Sequence, residues 1–333
     1  MTTGTDMDWT DCRVLVTGAG GFIGSHLAER LVTLGARVRA MVHYNCLGRA
    51  GWLDTSPLAG RMEIYGGDLT DRDSVAKAVD GCEVVLHLGA LIAIPYSYRA
   101  PSSYVRTNVE GTLNVLQAAL DKGVRRVVHT STSEVYGTAQ TVPISEAHPL
   151  VGQSPYSASK IGADQMAVAF HRSFQVPVAI IRPFNTFGPR QSMRAVIPTI
   201  IAQALTRKTI RLGRTNVTRD FNYVANTVDG FLAVAACDAA LGEVVNVGSG
   251  AEVTIDEVVR MVAEITGSEI AVETDPTRLR PDGSEVERLW ADIGRARTLM
   301  NYAPRCDLRH GLEQTVAWVR DNLDRFRPDE YVV

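Results

Sequence analysis

Val14-Leu15-Val16-Thr17-Gly18-Ala19-Gly20-Gly21-Phe22-Ile23-Gly24 begins as an apolar run of strand length, breaks into glycines and resumes as a helical pattern. Gly18, Gly21 and Gly24 stand at G-x2-G-x2-G spacing. Glycine lets the backbone turn tightly and approach a pyrophosphate resting on a helix N-terminus, where unpaired N–H groups favour an anion. A ligand-free tight turn would use the same glycines. The strand before and the helix after make a dinucleotide site the stronger reading, with Phe22 and Ile23 in its first helical turn.

Outward from this turn, short apolar runs at residues 13–17, 38–42, 62–65, 84–88, 127–130 and 178–182 alternate with amphipathic patterns such as 25–33, 74–79 and 109–121. That alternation predicts βαβ units and a Rossmann-type doubly wound parallel sheet, buried on both faces. After residue 183 the rhythm loosens. Prolines at 183, 189 and 198 precede a basic stretch containing Arg207, Lys208, Arg211, Arg214 and Arg219. Residues 244–247 read as a strand returning to the main sheet, and 254–266 and 311–323 as late helices. The expected organisation is α/β: a dinucleotide-binding domain over residues 1–182 with return segments near 220–250, and a smaller C-terminal α/β substrate domain mainly over 183–333.

The 333 residues suffice for a full core, and 45% hydrophobic with 21% charged residues is an ordinary globular balance. A net charge of -3 leaves no electrostatic footprint for nucleic acid or an anionic membrane. The five cysteines are scattered, with no C-x2-C pair, which argues against a disulfide framework or a zinc site. The start, residues 1–8, is polar and acidic, unlike a signal peptide, and no apolar run is long enough to span a bilayer. The expected compartment is the cytoplasm.

NAD sites usually carry Asp or Glu at the end of the second strand, to hold the ribose 2′-hydroxyl. This chain has Val42-His43-Tyr44-Asn45 there. His43, with Arg39 or Arg49 nearby, suits a 2′-phosphate instead. The reading leans to NADP and keeps NAD open, because some NAD sites lack the acid. Asp68 and Leu69 follow the third strand at the place for an adenine edge, although Asp68 also suits a turn or helix cap. Leu88 and Ala90, in His87-Leu88-Gly89-Ala90, should pass beside the cofactor, with His87 equally suited to core packing.

Tyr156-Ser157-Ala158-Ser159-Lys160 places a phenol and an ammonium one helical turn apart, on one face. A cation beside a phenol lowers its pKa, which predicts a base for a sugar hydroxyl. Alone, Y-x3-K is common on helix surfaces. Here it follows Thr130-Ser131-Thr132-Ser133-Glu134-Val135-Tyr136-Gly137 and the glycine turn.

Together with Arg182-Pro183-Phe184-Asn185-Thr186-Phe187-Gly188-Pro189-Arg190, these motifs resemble the extended short-chain dehydrogenase/reductases that act on nucleotide sugars, over nearly the whole chain. The resemblance implies a tightly bound, recycled nicotinamide cofactor, a nucleotide-diphosphate sugar substrate and a homodimer joined by a four-helix bundle. It implies Tyr156 as base, Lys160 as its partner, Thr132 as the hydroxyl at the substrate's 4-position, and Asn108 near the active site. It further implies Asn185 as a substrate contact and Arg219 and Arg280 as a diphosphate clamp, a task suited to guanidinium geometry. For Asn108 alone, a structural hydrogen bond is the competing explanation.

Glu134 separates the reactions within that family. A 4-epimerase needs only C4 oxidation and re-reduction, and usually has a small or apolar residue there. A 4,6-dehydratase needs a base for the C5 proton once C4 is a ketone; water is then lost from C6 and hydride returns there. Thr132-Ser133-Glu134 resembles GDP-mannose 4,6-dehydratases. Ser133 cannot supply the acid that an Asp gives in many dTDP-glucose dehydratases, so Glu134 must serve at both C5 and C6. Ala90-Leu91-Ile92-Ala93-Ile94-Pro95-Tyr96-Ser97-Tyr98 and Ser284-Glu285-Val286-Glu287-Arg288-Leu289-Trp290 are similar to the 4,6-dehydratases of legionaminic acid pathways, which act on GDP-N-acetylglucosamine. This implies GDP- or UDP-N-acetylglucosamine as substrate, with Tyr96 near the sugar or packed against other aromatics. A 4-epimerase, a 5,6-dehydratase and a non-catalytic dinucleotide sensor remain as alternatives.

Overall fold

The computed structural model describes residues 7–279, 281–328 and 330. Seven strands form one sheet: β1 (Arg13–Thr17), β2 (Arg37–His43), β3 (Glu63–Gly67), β4 (Val84–His87), β5 (Arg126–Thr130), β6 (Val178–Pro183) and β7 (Val244–Val247). Their order is β3-β2-β1-β4-β5-β6-β7, and every pairing is parallel. Strand order reverses between β1 and β4, and at such a switch point the loops leaving the strand ends open a crevice for ligands. The doubly wound α/β expectation is met. β1 and β7 have the predicted bounds, and the other core strands begin or end within two residues of theirs.

Apolar residues on both faces of the strands explain why the sheet is covered twice. On one face, α1 (Phe22–Thr33) and a later helix at Val224–Ala236 pack with Val14, Val16, Leu86, Val128 and Ile181. On the other, Leu15, Val85, Val127 and Ile180 meet α2 (Arg72–Val79), α3 (Gly111–Lys122) and α4 (Pro155–Phe174). The helix expected at 109–121 is α3, and a π-helical segment, Val105–Glu110, runs directly into its start. A π segment inserts an extra residue per turn and often marks a functional position.

A separate apolar cluster joins α5 (Val196–Thr206), α7 (Ile255–Thr266) and α8 (Leu308–Asp321), where α6 is the Val224–Ala236 helix above. Short two- and three-stranded sheets link these elements to the main body, one of them pairing Asn185–Phe187 with Phe221–Tyr223 in parallel. No helix among the described residues is long and apolar enough to cross a membrane.

Candidate active site

A cavity of about 1020 Å³ opens at the C-terminal ends of β1, β2, β4, β5 and β6. Its floor begins at the glycine turn. Gly18 has φ +68°, and a side chain on it would press on the Gly89 backbone; one on Gly24 would drive into the Gly18 carbonyl. The turn is therefore built around missing Cβ atoms. The N–H groups of Phe22, Ile23 and Gly24 open α1 and have no partner within the helix. All three residues line the cavity, with Gly18, Gly21, His43, Leu88 and Ala90.

Other predicted cofactor residues are elsewhere. Asp68 lies outside the cavity lining. Its Oδ1 accepts from the Thr70 N–H and hydroxyl, both at 2.9 Å, closing a local turn. Leu69 packs beneath Gly89 and Gly111, supporting the floor from below. Arg39 is held near the other end of its strand by Glu63 and the carbonyls of Ala78 and Asp80, so it cannot meet a 2′-phosphate. Arg49 does line the cavity, and its loop is fixed by Asn45, which bonds both the Arg49 N–H and its carbonyl. His87 is a core histidine: it bonds Thr17 and Thr112, and burial, then His129 and Lys160, push its pKa well down.

The catalytic candidates converge from two elements. After β5, Thr132 caps a 3-10 turn, Ser133–Tyr136, with its hydroxyl accepting from the Glu134 N–H at 3.2 Å. Opposite it, Ser154 and Ser157 form a capping box and Pro155 opens α4. This fixes Tyr156 in the first helical turn, Lys160 one turn on and Asp164 a further turn on. All three are buried, at 8%, 4% and 1% exposure. Thr132, Ser133, Glu134, Tyr156 and Lys160 all line the cavity.

The electrostatics correct the sequence reading. Burial pushes the Tyr156 phenol up, the Thr132 hydroxyl partly offsets this, and the Glu134 carboxylate adds to it. Lys160 is not the governing influence. Burial instead lowers its own pKa to about 8, against the pull of Asp164. Desolvation is the largest influence on both groups. The Lys160 ammonium makes no hydrogen bond among the described residues, so its donors are available to a ligand.

Asn108 is buried in the π segment. Its amide accepts from the Leu91 N–H at 2.8 Å and donates to the Leu91 carbonyl and Ser159 hydroxyl, both at 2.9 Å. It fixes the wall and does not itself line the cavity, as the competing structural reading expects and unlike a direct substrate-binding residue. Tyr96 also lies outside the lining and packs on Tyr104, which in turn meets Tyr156 edge-on. Asn185 lines the cavity with its Oδ1 buried and unpartnered. Arg219 lines it too and pairs with Glu285 at 3.4 Å. Arg280 lies outside the described residues.

Sequence reasoning missed Asp164, which lies behind Lys160 outside the cavity lining, and three cavity residues, Thr130, Arg190 and Gln191, each with a buried polar atom that has no partner. Only the fold reveals those atoms. Asp164 left a signal, since it continues the Tyr156–Lys160 stripe at the same four-residue spacing.

The sheet and this site are those of a dinucleotide-dependent α/β enzyme. A family model described as GDP-mannose 4,6 dehydratase matches residues 15–315. The dTDP-glucose 4,6-dehydratase of Actinoplanes sp. is 33% identical over 321 residues, covering 93% of this chain and 98% of that one. The UDP-glucose 4-epimerase of Mycolicibacterium smegmatis is 34% identical over 315 residues, covering 93% and 99%. A solved dTDP-glucose 4,6-dehydratase from Streptomyces venezuelae with NAD bound aligns with a TM-score of 0.85 at 31% identity, over 95% of this chain and 99% of that one. The chain belongs to the extended short-chain dehydrogenase/reductase family of nucleotide-sugar 4,6-dehydratases and epimerases.

Proposed function

We propose that the protein is a lyase, a 4,6-dehydratase that converts a nucleotide-diphosphate hexose, GDP- or UDP-N-acetylglucosamine, to its 4-keto-6-deoxy form. The observation that carries this reading is Glu134: a carboxylate in the cavity wall, near enough to Tyr156 to raise its pKa.

The glycine cradle and the unbonded Lys160 ammonium fit a nicotinamide dinucleotide, which when bound supplies a hydride acceptor and donor. His43 and Arg49 in the wall, with no acid at the end of β2, favour NADP, while the related structure supports NAD. Tyr156 takes the C4 hydroxyl proton, and Thr132 orients that hydroxyl. Burial favours the protonated phenol, so positive charge beside Tyr156 is what would make it a base. Glu134 takes the C5 proton made acidic by the C4 ketone and gives it to the departing C6 hydroxyl, which leaves as water; C6 then regains the hydride first removed from C4, and C5 takes a proton that originates in solvent. General acid–base assistance of this kind is worth about 10²–10⁴ in rate. Asn185 and Arg219 hold the sugar nucleotide, the C-terminal elements after residue 183 form the cover of its site, and the chain works as a homodimer.

The test is incubation with GDP- and UDP-N-acetylglucosamine, and with dTDP-glucose, in D2O. Loss of one water, deuterium at C5 and a methyl at C6 are expected, and Glu134→Gln should abolish water loss. The similarity to a UDP-glucose 4-epimerase supports a second reading. An unchanged mass with inverted C4 would establish it and remove Glu134 from the mechanism.

A further inference from the structure

The motif that follows β6 ends in a residue to which the proposed chemistry gives no task. Arg190 lines the cavity. Its Nη2 donates to Glu29 Oε1 at 2.9 Å, but its Nη1 is buried with no hydrogen-bond partner. A buried guanidinium donor without an acceptor is costly, so such a group is expected to gain one when a ligand binds. Its neighbour Gln191 donates to the Thr186 carbonyl at 2.8 Å and leaves its own Oε1 unpartnered.

The loop is held firmly for this purpose. Arg190 has φ +72°, a left-handed conformation that non-glycine residues seldom adopt. The Pro189 carbonyl accepts from His26 Nε2 at 3.1 Å, and burial lowers the His26 pKa, so the ring is neutral near pH 7. His26 and Glu29 share one face of α1, and the His26 ring packs edge-on against Phe22. Arg190 is thereby anchored to the flank of the helix whose first turn offers the N–H groups of Phe22, Ile23 and Gly24.

We propose that Arg190 is a diphosphate-binding residue, whose free guanidinium edge closes over a diphosphate seated at the N-terminus of α1. Two diphosphates can enter this cavity, that of a dinucleotide and that of a sugar nucleotide. The anchor on α1 favours the dinucleotide, since Arg214, Arg219 and Arg278 lie in the part of the wall built after residue 206. Glu29 offsets part of the charge and fixes its direction, and the guanidinium fork suits two phosphate oxygens. The proposal rests on the dinucleotide reading above.

The cofactor-free chain is titrated calorimetrically with NAD, NADP, ADP-ribose, adenosine, GDP and UDP, alongside Arg190→Ala and Arg190→Lys. Loss of one charge-assisted bond predicts that Arg190→Ala binds NAD and ADP-ribose roughly tenfold to a hundredfold more weakly, with adenosine unchanged. Arg190→Lys should recover part of that loss. A parent chain that binds no dinucleotide would sink the cofactor reading and this inference with it. A parent that binds NAD as tightly as Arg190→Ala does would sink the inference alone. Weaker GDP or UDP binding with unchanged NAD would overturn the assignment to the dinucleotide. Equal weakening of every ligand, adenosine included, with a lower ligand-free melting temperature, would reduce Arg190 to a loop support.

Discussion

Replacing Asp164 by alanine should cost more stability than most single changes in this chain. The carboxylate is 1% exposed and accepts from Arg182 Nη2 at 2.9 Å, Ser131 Oγ at 2.7 Å and His129 Nε2 at 3.2 Å. These bonds hold its pKa below the usual carboxylate range against the opposing effect of burial. Burial also lowers the His129 pKa. Arg182 is therefore the charged group hydrogen-bonded to Asp164, itself 3% exposed, with a further bond to the Tyr136 hydroxyl. Removing one member of a buried ion pair strands the other and costs about 3–5 kcal/mol. At an unfolding entropy of about 0.7 kcal/mol/K for a chain of this length, that lowers the melting temperature by roughly 4–7 °C.

Calorimetric melts of the parent, Asp164→Ala, Arg182→Met and the double variant would separate a stranded charge from a lost shape. The double variant should regain a large part of either single loss, because an apolar replacement of the whole pair strands nothing. A melting temperature for Asp164→Ala within about 1 °C of the parent, or strictly additive losses, would refute the reasoning. The same change reaches the active site. Asp164 favours the Lys160 ammonium, so its removal should move the alkaline limb of the turnover–pH profile to lower pH.

Two further outcomes follow from buried titratable groups. Burial lowers Lys160 from 10.5 to about 8, so between those values the unfolded chain binds more protons, and cofactor-free stability should rise with pH from 8 to 10. Denaturant titrations across that window should show the rise in the parent and a smaller one in Lys160→Met. Asp220 accepts from the Ser249 N–H and hydroxyl on one oxygen and from the Gly250 and Ala291 N–H groups on the other. Asp220→Asn must turn an NH2 towards one of these donor pairs, at about 1–3 kcal/mol for each donor left without a partner, read as a lower melting temperature.

The sheet was legible because strands buried on both faces carry unbroken apolar runs, as Val127-Val128 and Val178-Ala179-Ile180-Ile181 do. The glycine turn and the four-residue spacing from Tyr156 to Lys160 were legible for a related reason: each is a local constraint written in neighbouring residues. What stayed hidden is which polar atoms remain available once the chain is folded. Asn108, Asp68 and Arg39 each had the chemistry for a ligand, but the fold occupies them with Leu91, Thr70 and Glu63. Tyr156 and Lys160 were correctly spaced, yet spacing carries no information about how deeply a pair is desolvated, and that sign decides their pKa values.

Arg190 shows the converse. Its position in a family motif gave it no role, and its anchor, Glu29, is 161 residues away in the chain. An unsatisfied donor is a property of three-dimensional neighbours, so no periodicity or spacing can expose it. Reading a site therefore needs two questions in order: which side chains the sequence places at the strand ends, and which of them the folded protein leaves with an unmade bond. Thr130, Asn185, Arg190 and Gln191 answer the second question in the wall of one cavity, and each is a place where a ligand's hydrogen bonds would stabilise the protein as well as position the substrate.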